Sequence, residues 1–226
     1  MASIYGKNRR EHKRQHKPDR RVVKTKAAMR RAFTELLNEK PVRDIRVKEL
    51  SERIHINRGT FYQYYRDIYD MQDHLEEELY GKFSEIFKDC PAPETFEDIQ
   101  GRLLDIFTLL RQNADLTLAL LGPNGDPKFV QSIQEMLRLR CINDLIRFNS
   151  EHSAEEISRD QLFNYSYAFI VSGCMGMMQK WLSEDPDKTP EEMVGIVSDI
   201  LLLGIQNINA EKNQKKTTAR AEDLKI

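Results

Sequence analysis

Apolar side chains recur every three to four positions along most of this chain, and Pro, Gly and Asn residues separate the successive runs. The first run starts near Val22, ends before Pro41 and forms one stripe of a helix. Its stripe comprises Met29, Ala32, Phe33, Leu36 and Leu37. No segment alternates apolar and polar residues as a half-buried strand does. The pattern therefore predicts an all-α fold.

Two short helical periods follow the first helix. They are separated by a break at His55 and Ile56, and Asn57 then offers a side chain that can cap the next helix. The apolar positions of these two periods are Val47, Leu50, Ile54, Phe61 and Tyr65. A helix, a short helix, a turn and a second short helix together predict a helix-turn-helix unit over 22–68.

The rest of the chain is also helical in pattern. Met71, Leu75, Leu79, Phe83 and Ile86 continue as a connecting helix that ends before Pro91. Further helices are predicted at about 95–112, 113–121, 127–149, 159–183 and 190–209, which gives about nine in all. We therefore divide the chain into an arm at 1–21, the helix-turn-helix unit at 22–68, a larger helical domain at 69–210 and a polar tail at 211–226.

Charge is distributed unevenly along the chain, although the net charge is only −1. Residues 1–68 hold 19 Lys and Arg against 8 Asp and Glu, a net +11, whereas the remainder holds 16 against 28, a net −12. A basic N-terminal third suits a polyanion such as DNA, and the acidic remainder must face away from it. The arm is too polar to bury, so we expect it either to contact DNA or to stay solvated.

The outward residues of the second short helix carry groups suited to double-stranded DNA. Gln pairs with adenine, Thr meets the thymine methyl group, and Arg and Tyr bind phosphate oxygens. Gly allows close approach of the backbone. The residues concerned are Arg58, Gly59, Thr60, Tyr62, Gln63 and Tyr64. The alternative is that the aromatic residues pack in a small core, which we accept for Phe61 and Tyr65.

The run from Ile45 to Asp67 resembles the N-terminal signature of the TetR family of transcriptional regulators. Gly59, Tyr62 and Tyr65 give the Gly-x-x-Tyr-x-x-aromatic pattern after an amphipathic first helix. The phrase Asp67-Ile68-Tyr69-Asp70 resembles one branch, whose relatives include an activator of a dihydroxyacetone kinase operon. The resemblance covers about 50 residues. It implies a DNA-reading helix from about Arg58 to Tyr64, with Val47 and Lys48 near the phosphates. The full set of residues expected to bind DNA is Arg46, Val47, Lys48, Asn57, Arg58, Gly59, Thr60, Tyr62, Gln63, Tyr64 and Arg66.

Three positions depart from the family pattern. Arg46 replaces the usual Thr cap of the second helix, so an Arg contact to phosphate is the alternative. His55 stands where Gly is usual because the turn often needs a positive φ. Ile68 replaces a Lys that holds phosphate, a role that Arg66 is placed to take over.

The last two long helices are too apolar to face water alone. Gly173 and Gly176 allow close approach of another helix, and two such helices from each of two subunits form a four-helix dimer interface. The resemblance also implies a homodimer. The alternative is that both helices belong to the protomer's own core. The predicted interface comprises Tyr165, Phe169, Gly173, Gly176, Met177, Trp181, Ile196, Ile200 and Leu203.

The resemblance implies that the domain at 69–210 dimerises and encloses a small-molecule effector of unidentified class. Candidate pocket walls are Phe83, Phe87, Phe107, Met136 and Cys141, each of which is alternatively a core residue. The function expected is a ligand-responsive repressor that binds a pseudo-palindromic operator. The alternatives are an activator, a regulator controlled by a partner protein, and a non-specific architectural DNA-binding protein.

Other classes of protein find no support in the sequence. There is no nucleophile elbow, zinc-binding His-Glu-x-x-His helix or phosphate loop, so we expect no enzyme activity, no metal and no cofactor. The three cysteines form no disulfide framework and are interpreted as reduced packing residues. Without a long apolar segment, we expect a cytoplasmic protein that does not enter the membrane.

Overall fold

The computed structural model describes residues 20–88, 95–148 and 161–200, and every regular element in them is helical. A single 3₁₀ turn at Val42–Asp44 lies between α1 and α2. The α-helices are α1 (Arg20–Glu39), α2 (Val47–Arg53), α3 (Arg58–Tyr62), α4 (Ile68–Ile86), α5 (Phe96–Gln112), α6 (Ala114–Leu120), α7 (Pro127–Phe148), α8 (Gln161–Glu184) and α9 (190–200). The all-α fold predicted from the sequence is confirmed.

Most helix boundaries lie close to those predicted. One correction concerns the basic arm, because Arg20 and Arg21 already belong to α1 and not to the arm assigned to 1–21. The first helix gains this turn because no Pro or Gly interrupts the chain between Arg20 and Glu39. The rest of the arm, the polar tail and Leu203 lie outside the described residues.

Helix α1 buries its apolar stripe completely. Met29, Phe33, Leu36 and Leu37 have no exposed surface and contribute to one continuous core. The helix packs against α2 on one side and more extensively against α6 on the other. Helix α1 therefore belongs structurally both to the helix-turn-helix unit and to the larger helical body.

The long helices of the body begin at residues that satisfy their free N–H groups. Asp67 caps α4 by accepting a hydrogen bond from Asp70 N at 2.8 Å. Thr95 and Asp98 form a reciprocal capping box at the start of α5. Caps of this kind typically contribute about 1 kcal/mol each. They fix the points where α4 and α5 leave the loops that precede them.

A polar cluster joins α1 to the body, and we call it the junction cluster: Arg30, Glu78, Lys82 and Asn113. Arg30 Nη1 lies 2.9 Å from Glu78 Oε1, and Arg30 Nη2 lies 3.1 Å from Asn113 Oδ1. Lys82 Nζ donates to the same two acceptors at 2.6 and 2.8 Å. Burial opposes ionisation of Glu78, but Lys82 and Arg30 hold its pKa below the ordinary value. The cluster thus ties α1, α4 and the α5–α6 corner together.

Glu76 on α4 is a half-buried carboxyl with an unfavourable environment. Its pKa is raised from an ordinary value of 4.5 to about 7, first by burial and also by the charges of Asp126 and Asp73, although a hydrogen bond from Gln72 at 2.6 Å opposes the rise. Between pH 4.5 and about 7, Glu76 is mostly ionised in the unfolded chain but still mostly protonated in the folded protein. The folded state therefore loses stability as the pH rises from 4.5 to about 7.

We expect Glu76→Gln to remove this loss of stability. Because the group is half exposed, solvent screening reduces the effect to about 1 kcal/mol. Urea denaturation should give a free energy of unfolding for Glu76→Gln about 1 kcal/mol above that of the unmodified protein at pH 8, and little difference at pH 5. The control is Glu77→Gln, because Glu77 is exposed. An equal effect of Glu76→Gln at both pH values would contradict the assignment.

None of the helices in the described ranges is long and apolar enough to cross a membrane. Cys174, on α8, is a free thiol that is partly buried, and burial raises its pKa. This environment agrees with the interpretation of Cys174 as a reduced packing residue. Cys90 and the side chain of Cys141 lie outside the description.

Candidate nucleic-acid interface

The turn between α2 and α3 sets the direction of α3. Ile56 N donates to Ser51 O at 2.9 Å and closes the end of α2. His55 has a φ of 55°, in the left-handed region that Gly adopts at little cost and that is less favourable for His. The expectation that this turn needs a positive φ is confirmed, and His55 adopts it in place of the usual Gly.

Asn57 is the N-cap of α3, as the sequence predicts. Asn57 Oδ1 accepts a hydrogen bond from Gly59 N at 2.8 Å. Arg46 occupies the corresponding place before α2 but makes no side-chain cap hydrogen bond. Arg46 therefore does not take over the capping role of the Thr that it replaces. Its exposed guanidinium is not used to hold the start of α2.

Two aromatic side chains anchor α3 from beneath. Phe61 is fully buried and Tyr65 nearly so, with ring centroids 5.7 Å apart. Their predicted inward orientation is confirmed. Tyr62 stands on the opposite side with 56% of its surface exposed. The short helix therefore presents Tyr62 outward while its neighbours fix it to the core.

The structure narrows the set of outward residues predicted from the sequence. Tyr64 is only partly exposed, packs against the core and has Lys26 Nζ 5.7 Å from its ring centroid. Val47 likewise packs against the core, and Thr60 is half-buried. Those that are well exposed are Arg46, Lys48, Asn57, Arg58, Gly59, Tyr62, Gln63 and Arg66.

Arg66 is held at the surface immediately after α3. Its Nη2 and Nε donate to Asp70 Oδ1 at 2.7 and 2.9 Å, and its backbone N donates to Asp70 Oδ2 at 2.9 Å. These hydrogen bonds hold the pKa of Asp70 below its usual value, and the bond from the Arg66 backbone N has the largest effect. The Arg66 side chain remains 85% exposed although the Asp70 side chain is 10% exposed. Ile68, by contrast, is buried, so no cation replaces the family's Lys there.

The sequence analysis did not identify Asp70 as part of this site. The spacing of four residues between Arg66 and Asp70 is the signal that could have indicated it. The carboxylate restricts the directions in which the guanidinium can point. Arg66 is thus a preorganised cation beside the exposed face of α3.

Helix α8 exposes large aromatic side chains. Tyr165 and Phe169 are each 76% exposed, and Ile196 and Ile200 of α9 are also exposed. A Cβ added at Gly173 or Gly176 would meet nothing within 4 Å. This combination leaves an apolar face that no other described part of the protomer covers. The alternative that both helices lie wholly in the protomer's own core does not hold for these side chains.

Two residues assigned to that interface face the protomer's own core instead. Trp181 is 1% exposed, lies edge-on to Phe107 at 5.5 Å and donates from Nε1 to Lys188 O at 2.9 Å. Met177 is partly buried against the same core. Helix α8 is apolar on more than one side, so its inward and outward residues were assigned together. Trp181 is corrected to a core residue.

The residues predicted to wall an effector pocket are buried wherever their side chains are described. Phe83, Phe107 and Met136 belong to the continuous core, and Phe87 is buried with the Arg140 guanidinium 5.7 Å from its ring centroid. Cys141 has no described side chain. A groove of about 470 Å³ lies elsewhere, where α1 meets the α5–α6 corner.

The family comparison agrees with this architecture. Residues 97–202 match the TetR-type family model described as "Transcriptional regulator C-terminal region". No curated protein sequence matches the chain.

Among solved structures, the fatty acid degradation regulator FadR from Bacillus halodurans is 14% identical, and the match covers 78% of this chain and 94% of that one at a TM-score of 0.54. The dihydroxyacetone kinase operon activator DhaS is 16% identical over 81% and 97% of the two chains, at a TM-score of 0.43. FadR from Bacillus subtilis, solved in complex with stearoyl-CoA, is 16% identical over 77% and 96%, at 0.47.

Helix α3 is the exposed second helix of a helix-turn-helix, and the helical body that follows matches a regulator's C-terminal region, which is the arrangement typical of helix-turn-helix transcriptional regulators. The all-α arrangement is shared with the Bacillus halodurans structure. Residues 97–202, nearly half of the chain, are thus similar to the C-terminal region of TetR-type regulators. Proteins of this family regulate transcription and are generally not enzymes.

Proposed function

We propose that this chain is a ligand-responsive repressor that binds a pseudo-palindromic operator as a homodimer through α3. The observation that carries the proposal is the outward set at Arg58, Tyr62 and Gln63, held in place by buried Phe61 and capped by Asn57. A short helix fixed in this way can enter the major groove without rearrangement. A protein that binds an operator in this way would act in the cytoplasm.

Each of the three exposed side chains has a role that its chemistry supports. Gln63 can bond bidentately to adenine, and Arg58 can bond to guanine or to phosphate. Tyr62 can donate its hydroxyl to a phosphate oxygen while its ring packs on the sugar. Arg66, fixed by Asp70, supplies a cation for the adjacent phosphate. Base contacts would give specificity, and phosphate contacts would set the position of the helix.

Dimerisation would make recognition two-fold symmetric. The exposed apolar face of α8 and α9 is the surface that supports self-association. Two copies would present their α3 helices to half-sites roughly 34 Å apart. Ligand binding in the body would then favour a dimer geometry that no longer matches this spacing. A hundredfold loss of DNA affinity requires near 3 kcal/mol of differential binding.

The experiment is a fluorescence-anisotropy titration of the protein onto its own upstream region and onto a scrambled duplex, at two salt concentrations. We expect a preference of roughly a thousandfold for the upstream region. Tyr62→Ala should weaken that binding by roughly 30- to 1000-fold, because about 1–2 kcal/mol is lost at each of two half-sites. The matched control is Tyr80→Ala, an exposed tyrosine of α4.

Equal affinity for both duplexes with a steep salt dependence would contradict operator recognition and favour an architectural DNA-binding protein. If the upstream region is bound specifically but Tyr62→Ala reduces the affinity no more than Tyr80→Ala does, α3 is not the helix that reads the DNA. Specific binding that increases transcription from the bound promoter would indicate an activator instead of a repressor.

A further inference from the structure

The groove at the corner of α1, α5 and α6 has the chemistry of an anion site. Its volume of about 470 Å³ lies within the range of small-molecule pockets. It is lined by three guanidinium groups and a single carboxylate, with hydroxyl and amide groups between them. The lining residues are Ala27, Arg30, Arg31, Thr34, Arg111, Gln112, Asn113, Ala114 and Asp115.

The three arginines come from two different helices and are only partly engaged. Arg30 bonds to Glu78 and Asn113, and Arg31 Nε bonds to Glu35 at 3.0 Å. Arg111 donates to Pro186 O, and its guanidinium carbon lies 5.9 Å from the Trp181 ring centroid. Each guanidinium carries five N–H donors, so donors remain on each after these described bonds.

We propose that this groove binds a small molecule that carries a phosphate or carboxylate group. The groove brings Arg111 of the acidic part of the chain beside Arg30 and Arg31 of the basic N-terminal third, and like charges gathered at one place repel each other until an anion joins them. Planar guanidinium groups match phosphate and carboxylate oxygens bidentately. The groove is separate from the aromatic residues predicted to wall an effector pocket.

An anion in this groove competes with Glu78 for Arg30. Arg30 and Asn113 belong both to the groove and to the junction cluster that ties α1 to α4. When the anion engages Arg30, the bond from α1 to α4 weakens while a new one forms between α1 and α5. The orientation of α1 determines that of α2, which packs against it, and thus bears on α3. This regulatory consequence rests on the proposed function, whereas the binding itself does not.

The protein contains its own reporter for the site. Trp181 is the sole tryptophan of the chain, and Arg111 lies over its ring. An anion that draws Arg111 toward the groove changes the environment of the indole. We expect a saturable change in tryptophan emission on titration with inorganic phosphate or with succinate, and none with sodium chloride at the same ionic strength. A response to only one of the two probes identifies the group that the site prefers.

Arg31→Gln is the variant to test, because the Arg31 side chain is 79% exposed and its loss leaves the core intact. It should weaken binding of the responding anion by about threefold or more. Arg43→Gln removes the same charge from a side chain that is 77% exposed and lies outside the groove, and it should leave binding unchanged. An emission change that is equal in sodium chloride, or that both variants alter alike, would overturn the proposal in favour of a general salt effect.

The same samples should be titrated with the upstream duplex. Anion binding seen by emission, with operator affinity altered at least severalfold in the unmodified protein but less in Arg31→Gln, supports both the site and its regulatory consequence. Specific DNA binding without an anion response refutes the site and leaves the proposed function intact. An anion response without specific DNA binding supports the site and refutes the proposed function.

Discussion

Phe169→Glu should convert the proposed homodimer to monomers and reduce affinity for operator DNA by at least about a hundredfold, while each protomer stays folded. Phe169 is 76% exposed in the protomer, so its replacement removes no packing there. In a dimer formed by α8 and α9, however, the substitution places an unpaired carboxylate in a desolvated apolar interface. Sedimentation velocity should show the change in mass, and circular dichroism should show unchanged helix content.

The control for this substitution is Tyr80→Glu, which adds the same charge at an exposed aromatic position on α4. It should leave the mass and the DNA affinity unchanged. A Phe169→Glu variant that remains dimeric would exclude this face of α8 from the interface. A monomeric variant with full operator affinity would contradict binding by paired half-sites.

Trp181→Ala should lower the free energy of unfolding by about 3–5 kcal/mol, the cost typical of deleting a large buried side chain. Trp181 is 1% exposed, packs edge-on to Phe107 and donates a hydrogen bond to Lys188 O. Its removal leaves a cavity between α5 and α8 and an unsatisfied carbonyl in the loop before α9. Urea denaturation followed by circular dichroism measures the loss.

The comparison for Trp181→Ala is Tyr80→Ala, which should change stability by no more than about 0.5 kcal/mol because the side chain is exposed. If Trp181→Ala instead produces monomers of nearly unchanged stability, Trp181 belongs to the dimer interface after all. The sequence pattern assigns Phe169 and Trp181 to the same interface, but we expect the Phe169 substitution to affect dimerisation and the Trp181 substitution to affect stability.

The difference between those two residues shows where the sequence pattern is informative and where it is not. Helix α1 has a single apolar stripe, so its buried residues, such as Phe33 and Leu36, could be predicted individually. Helix α8 is apolar around much of its circumference. Periodicity then identifies the helix but not which side faces the protomer's own core. Only the packing of α8 distinguishes Trp181 from Phe169.

Within the candidate site, the exposure predicted for the residues of α3 holds except at Thr60, which is half-buried. Asn57 is the cap and Tyr62 is exposed, because a helical projection describes α3 correctly from Arg58 to Tyr62. Beyond Tyr62 the chain leaves the helix, so the same projection placed Tyr64 outward although it packs against the core. A five-residue helix is too short for its periodicity to be extended further.

The junction cluster and the groove could not be predicted from local patterns. Arg30 meets Glu78 across 48 residues and Asn113 across 83. Only the pair of Glu78 and Lys82, four residues apart on α4, has a spacing visible in the sequence. Contacts over such distances depend on how α1 docks on α6, which no single helix determines.

The docking of α1 on α6 also constrains how the protein folds during synthesis. The core of the helix-turn-helix is continuous with that of the body, and Met29, Phe33 and Leu116 are all buried in it. Until α6 has left the ribosome, the far side of α1 has no apolar partner, and its buried stripe is only partly covered. The helix-turn-helix should therefore gain its full stability late, when a chain of about 120 residues is available for folding. A reading helix encoded near the N-terminus is in this sense completed by a segment from the middle of the chain.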